Sequence, residues 1–343
     1  MRAIGYQHPA QLDAPDYLLD VSLPDPVPGP RDLLVRVEAI GLNPVDLKVR
    51  GREHPGGAGW RVLGWDAVGR VEAMGPQVEG FANGDRVWYA GALHRPGCNA
   101  ELQLVDARLV ALAPHSLDAA AAAALPLTAI TAWELLFDRL GLGQGADAGA
   151  GESLLVMGAA GGVGSVLLQL GRQLTGLTLV ATASRPESQD WARRCGAHHV
   201  INHREPLRPQ LEALGFAAVD RVVSLTHTGE HFDQLVDVLA PQGALALIDD
   251  PDPAALNVLA LKRKSLSLHW ELMFTRSLYD TPDLAQQGGL LKRVAELVDT
   301  GLVFSTVRQV LGPITAANLT AGHRLLASDT TIGKLVLAGW PAG

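Results

Sequence analysis

The chain has 343 residues, 48% of them hydrophobic, and a formal net charge of −8. That length supports about two domains around large cores. An acidic balance with no block of lysines or arginines argues against nucleic acid or an anionic membrane as the partner.

The first residues, MRAIGYQHPAQLDAP, carry neither a basic start followed by an apolar run nor a cleavage signal, and no later stretch approaches the roughly 18 apolar residues of a membrane helix. The expected compartment is the cytoplasm. Up to about Ala113 the pattern predicts short strands: DLLVRVEAIGL, AVGRVEAMG, GDRVWYAG and AELQLVDARLVALA, each bounded by Gly, Pro, Asn or Asp. This is a compact, mostly β unit. Cys98 and Cys195 are the only cysteines, far apart and without ligand-like spacing, so neither a disulfide framework nor a four-cysteine zinc lobe is available. SLDAAAAAALPLTAITAWELLF is helical in composition. After GLGQGADAGAGES the chain alternates strand and helix, with strands at LLVMG, TLVATA, HVIN, DRVVSLT, ALALID and LSLHW. That alternation predicts an α/β fold with a doubly wound parallel sheet. The apolar LSLHW run, Leu266 to Trp270, is the expected sheet edge at which two copies pair as a homodimer. A helix in GGLLKRVAELVDTG and a β run in GKLVLAG close the chain.

VMGAAGGVGSVLLQLG, Val156 to Gly171, runs from an apolar strand through a glycine cluster into a helix. Each unneeded glycine costs about 0.5 to 1 kcal/mol in a regular element, so something must come close to this backbone. In a dinucleotide site such glycines permit a tight turn and let the backbone reach the pyrophosphate, which the helix N-terminus then binds. Ala159, Gly161 and Gly164 hold the three spaced positions, with Gly162 a further small residue. About twenty residues on, an NAD site shows Asp or Glu. Here Ser184 and Arg185 stand in VATASRPES, a hydroxyl and a fixed cation suited to a 2′-phosphate, so the expected cofactor is NADPH. His227 and His231 are four apart but have no third ligand nearby in sequence, and no metal is expected there.

These features make the chain resemble the medium-chain dehydrogenase/reductase superfamily over essentially its whole length. The resemblance is carried by GLNPVDLKVRG, VLGWDAVGRV, LPLTAITAWE, GAAGGVG, GAHHVIN, APQGALALIDD and GKLVL. The branch it is most similar to is the quinone oxidoreductase-like proteins often labelled zinc-type alcohol dehydrogenases, which also share KSLSLHWELMFTRSLYDTPD. The resemblance implies a GroES-like β domain built from residues 1–125 and 271–343, with a Rossmann domain over 126–270. It further implies cofactor contacts from Thr128, Ala159, Gly161, Gly162, Val163, Gly164, Ser184, Arg185, His203, Asp249 and Lys334. His203 stands where related reductases often have the Tyr of VINY.

Zinc-dependent members carry Cys where this chain has Asn43, a His-Glu pair where it has Trp65 and Asp66, and a third ligand near Leu127. An amide, an indole and an alkyl chain are not zinc ligands, so no catalytic metal is expected. Without a Lewis acid, the expected reaction is reduction of an acceptor that spreads its own charge, a quinone or an α,β-unsaturated carbonyl. By resemblance Asn43 and Asp46 lie beside the nicotinamide, Asn43 offering a hydrogen bond to the developing oxyanion, and Trp65 walls the former metal position. Tyr89, Trp270, Met273 and Phe274 belong either to the substrate pocket or to the core. The alternatives are an alcohol dehydrogenase and a non-catalytic NADPH-binding protein. RNA binding, another activity of some relatives, is disfavoured by the charge.

Overall fold

A computed structural model of the chain describes residues 1–53 and 59–341. The strands before residue 113 are β1 (Arg2–Tyr6), β2 (Leu19–Ser22), β3 (Asp32–Gly41), β4 (Arg61–Val62), β5 (Ala67–Met74), β6 (Arg86–Tyr89), β7 (Leu102–Asp106) and β8 (Ala111–Leu112). Then come β9 (Ser153–Met157), β10 (Thr178–Thr182), β11 (His199–Ile201), β12 (Val219–Ser224), β13 (Leu239–Leu247) and β14 (Ser267–Trp270). β15 (Val307–Val310) and β16 (Lys334–Ala338) complete the series. The chain divides into two compact units, one made of Met1–Ile130 with Phe274–Gly343, the other of Thr131–Met273.

In the first unit the sheet order is β15-β16-β3-β5-β6-β8, and β7 also pairs with β3. β3 is ten residues long, and two strands share one of its edges. Its first half, Asp32 to Arg36, pairs with β7, and its last residues, Ala39 to Gly41, pair with β16. Leu33, Val35, Val37 and Ala39 of β3 are buried, the period-2 pattern of a strand with one face inward. The register Val336↔Gly41 brings the start of β16 to the end of β3, so Lys334 meets Leu42 and Asn43 from almost 300 residues away.

In the second unit all five strand pairings are parallel, in the order β11-β10-β9-β12-β13-β14. Every residue of β9, SLLVM, is buried, as befits a strand covered on both faces. The helix Gly162–Leu174 that follows buries Val166, Leu167, Leu170 and Leu174. Leu155, Val180, Val222 and Leu245 from four adjacent strands share one core with Phe232 and Leu235 of the helix Thr228–Val238.

The expectation that no stretch approaches membrane-span length needs correcting at one place. The helical run Ala119–Arg139 reaches a mean hydropathy of 1.5 over 18 residues, and 78% of that window is buried. It is apolar because it is interior, where Ala and Leu fill the space.

Candidate active site

The glycine loop lies where β9 meets the helix Gly162–Leu174. Gly161 is the N-cap, in extended backbone, and the N–H groups of the first turn have no acceptor within the helix. A Cβ on Gly164 would lie 2.5 Å from the Ala159 carbonyl oxygen, so only glycine lets the helix close against the turn. The residue with left-handed backbone is Gly158, φ 72°, one position before the alanine that replaces the first spaced glycine. The strict spacing therefore missed the turn glycine, whose only sequence signal is its place immediately after the strand. Ala159 is fully buried with an ordinary backbone. This cradle fits a dinucleotide pyrophosphate.

β10 ends beside the loop, since Val180 and Ala181 pair with Leu155 and Val156 of β9. Ser184 and Arg185 follow it, both half-buried, and Arg185 is the N-cap of the helix Pro186–Arg194. The Arg185 N–H donates to Ser188 Oγ at 3.3 Å, which ties the loop to that helix. β11 lies next to β10, and the Ala183 N–H donates to the Ile201 carbonyl at 2.9 Å, so the loops carrying Ser184 and His203 leave the sheet side by side. Asp249, just past β13, accepts from the Thr228 N–H at 2.9 Å and from the Thr228 hydroxyl at 2.5 Å, and so caps the helix Thr228–Val238.

The first unit holds a buried polar cluster around Asn43, Asp46, Asp66 and Lys334. Lys334 is 3% exposed, and its ammonium donates to the Leu42 carbonyl at 2.7 Å, Asn43 Oδ1 at 2.6 Å and Asp66 Oδ2 at 2.7 Å. These three acceptors use all three N–H bonds of the ammonium, leaving none for a cofactor phosphate in this arrangement. Asn43 Nδ2 donates to Asp66 Oδ2 at 3.0 Å and makes a long 3.4 Å contact with the Gly41 carbonyl. The Leu127 N–H donates to Asp66 Oδ1 at 2.8 Å. Burial raises the Asp66 carboxyl above its ordinary range, against the pull of Lys334 and these donors.

Asn43 precedes the helix Pro44–Arg52 as its N-cap, and its own N–H donates to Asp46 Oδ2 at 2.8 Å. Asp46 Oδ1 is buried and meets no hydrogen-bond partner among the described residues. Burial pushes the Asp46 carboxyl up to about 7, so it holds its proton into the neutral range. Thr128 is buried, its hydroxyl donating to the Leu125 carbonyl at 2.9 Å. Trp65 is fully buried, packs edge-on against Phe274 with centroids 6.1 Å apart, and donates its indole N–H to the Ala92 carbonyl at 3.3 Å. Tyr89, Met273 and Phe274 are buried, whereas Trp270 is 52% exposed at the end of β14.

Zinc does not fit this cluster. Asn43 Oδ1 and Asp66 Oδ2 face an ammonium, the Trp65 indole offers no lone pair, and Leu127 contributes only its backbone N–H, which is spent on Asp66 Oδ1. His227 and His231 share the first turn of the helix Thr228–Val238, and the fold brings His203 close to His231, a neighbour the sequence spacing did not reveal. Among the described residues no group of three His, Cys, Asp or Glu is arranged to hold a metal.

A parallel sheet of this strand order with a glycine loop at its switch point, joined to a β unit made from both chain ends, defines a dinucleotide-dependent dehydrogenase or reductase. Residues 29–115 match the alcohol dehydrogenase GroES-like domain, and residues 195–337 match the zinc-binding dehydrogenase family. A zinc-type alcohol dehydrogenase-like protein of Staphylococcus aureus is 38% identical over 98% of this chain and 99% of its own. A quinone oxidoreductase of Sus scrofa is 28% identical over 93% of this chain and 92% of its own. A solved Rhizobium etli structure, described as a zinc-dependent alcohol dehydrogenase protein, is 49% identical with a TM-score of 0.95, covering 100% of this chain and 99% of that one. The chain belongs to the medium-chain dehydrogenase/reductase superfamily, a family of nicotinamide-dependent oxidoreductases.

The zinc in the names of these relatives is thus at odds with the donor set here. Elemental analysis of the purified protein is expected to return far less than one zinc per chain. A stoichiometric zinc that is required for activity would overturn this reading of the cluster.

Proposed function

We propose that the protein is an NADPH-dependent reductase that transfers hydride to a quinone or an α,β-unsaturated carbonyl without zinc. The observation that carries the reading is Lys334, seated among the oxygens of Leu42, Asn43 and Asp66 in the cluster where zinc-dependent relatives place their metal ligands. The glycine cradle, by contrast, keeps an open helix N-terminus and the close approach of Gly164 to the turn, which support dinucleotide binding. Such a combination favours acceptors that delocalise their own charge.

When bound, NADPH supplies the hydride. Ser184 and Arg185 select the 2′-phosphate, and the first turn after Gly161 holds the pyrophosphate. Asn43 spends one amide hydrogen on Asp66, and the other, which has only the long contact to Gly41, is the one offered to a developing oxyanion. Lys334 and Asp66 hold that amide in place through its oxygen and its first hydrogen.

On metal-stripped protein, NADPH oxidation is expected with quinones and enones and not with simple aldehydes. Loss of an oxyanion donor costs ~10²- to 10³-fold in turnover, so Asn43→Leu is expected to slow enone reduction by that order and to change NADPH affinity much less. Oxidation of simple alcohols, with no turnover on a broad quinone and enone panel, would make the protein an alcohol dehydrogenase instead.

We further propose a homodimer formed through β14. Among the described residues this strand has one sheet neighbour, β13, and it ends in the exposed Trp270, which supports pairing of its other edge with a second copy. Sedimentation at micromolar concentration is expected to give twice the 36.2 kDa chain mass. A monomer there refutes the assignment.

A further inference from the structure

Two histidines of the second unit carry ring nitrogens shut off from solvent and without a hydrogen-bond partner among the described residues, Nδ1 of His203 and Nδ1 of His231. Buried ring nitrogens are as a rule hydrogen-bonded, so two unmet ones side by side call for a ligand. The rings stand edge to face with centroids 6.1 Å apart at 75°. His203 lies two residues beyond β11, and His231 lies in the first turn of the helix that follows β12.

The sheet order makes this contact informative. β10 and β9 lie between β11 and β12. A contact between the chain leaving β11 and the chain leaving β12 therefore passes over the C-terminal ends of β10 and β9. Those ends carry Ser184 with Arg185, and the glycine loop. In an open parallel sheet a ligand binds outside these strand ends, and its ribose meets the end of the second strand. A phosphate on that ribose therefore comes against the histidine pair from the β10 side.

The charges around the pair suit an anion. Arg204 follows His203 directly, and Arg185 stands on the neighbouring loop. His227, in left-handed backbone at φ 54°, has its Nδ1 within 2.8 Å of the Thr226 hydroxyl and adds a third imidazole. Glu230 is the carboxylate that acts on His231. Burial, with help from His231, Arg204 and His227, holds His203 below the ordinary histidine range. Burial does the same to His231, which His227 also lowers and Glu230 raises. Both rings are thus neutral at pH 7 in the absence of ligand.

We propose that the His203–His231 pair takes up one proton from solvent when the 2′-phosphate of NADPH binds, and so makes the preference for NADPH over NADH depend on pH. The proton lands on one of the two half-buried rings, and the imidazolium so formed donates to a phosphate oxygen as a charge-assisted hydrogen bond. One proton, not two, is expected, because the first imidazolium opposes a second at this separation. The inference rests on the assignment of Ser184 and Arg185 to the 2′-phosphate.

The test is titration calorimetry of NADPH and of NADH at pH 7.5 in two buffers of different ionisation heat, with binding constants measured from pH 7 to 8. Above pH 7 the phosphate is essentially its dianion, so protons taken up belong to the protein. Wild-type protein is expected to absorb between about half and one proton with NADPH and none with NADH. By linkage the NADPH dissociation constant then rises roughly three- to tenfold per pH unit while that of NADH stays flat. His203→Gln and His231→Gln keep a polar side chain that does not titrate. Each is expected to abolish the uptake and flatten the NADPH profile, with an unchanged melting temperature reporting an intact fold. NADPH preference without proton uptake, or uptake that survives in both variants, overturns the histidine assignment and leaves Ser184 and Arg185 in place. Equal binding of NADPH and NADH at every pH overturns both.

Discussion

Replacing Lys334 with Met is expected to destabilise the first unit by about 3 to 5 kcal/mol, the cost of breaking a buried ion pair by removing one partner. The ammonium is buried, lies 2.7 Å from Asp66 Oδ2 and also satisfies Leu42 and Asn43. Its loss leaves a buried carboxylate without its cation and two buried oxygens short of a donor. For a unit of about 200 residues each kcal/mol shifts the melting temperature by roughly 2 to 4 °C. A fall of roughly 6 to 20 °C should follow in a thermal scan. The double substitution Asp66→Asn with Lys334→Met removes both charges and is expected to recover much of the loss, because a neutral amide costs far less to bury than an unpaired carboxylate. If Lys334 instead serves mainly to bind the cofactor, Lys334→Met will weaken NADPH and leave the melting temperature within a degree or two of wild type.

Arg185→Ala is expected to weaken NADPH by one to two orders of magnitude and to leave NADH nearly unchanged. A hydrogen bond to a charged group contributes about 1.5 to 3 kcal/mol, and a guanidinium meets a phosphate through two N–H bonds at once. Arg185 stands at the N-cap of the helix Pro186–Arg194, with Ser184 before it at the end of β10. Its backbone N–H, bonded to Ser188, survives the substitution, so the loop should keep its course. Fluorescence titration with both cofactors decides the matter. Equal losses for NADPH and NADH would assign Arg185 to the loop's structure rather than to the phosphate.

The parallel sheet was legible because its signals are local. LLVMG, TLVATA and DRVVSLT are apolar runs of strand length, and the glycines that follow the first of them must sit where strand turns into helix. The same local reading placed Ser184 and Arg185 at the end of the second strand. It also identified Asn43, Trp65 and Leu127 as residue types that cannot ligate zinc. It erred by one position at the tight turn, because glycine spacing does not reveal which residue adopts positive φ, and the structure assigns that role to Gly158. It also understated the helical run Ala119–Arg139, which is apolar without being a single unbroken hydrophobic stretch.

The amino-acid sequence by itself thus determined the α/β class, the glycine loop between strand and helix, the residue types at the end of the second strand and those at positions 43, 65 and 127. All of these depend on residue type and on spacing within a few turns of chain. Only the tertiary structure decided what surrounds Asn43 and Asp66, since Lys334 reaches Asp66 across 268 residues through the pairing of β16 with β3. It likewise decided that Asn43 is held by two partners, that Asp46 keeps an unmet buried oxygen, and that His203 meets His231. Burial and strand order create these relations, and both follow from how distant segments pack, which no local pattern of residues encodes.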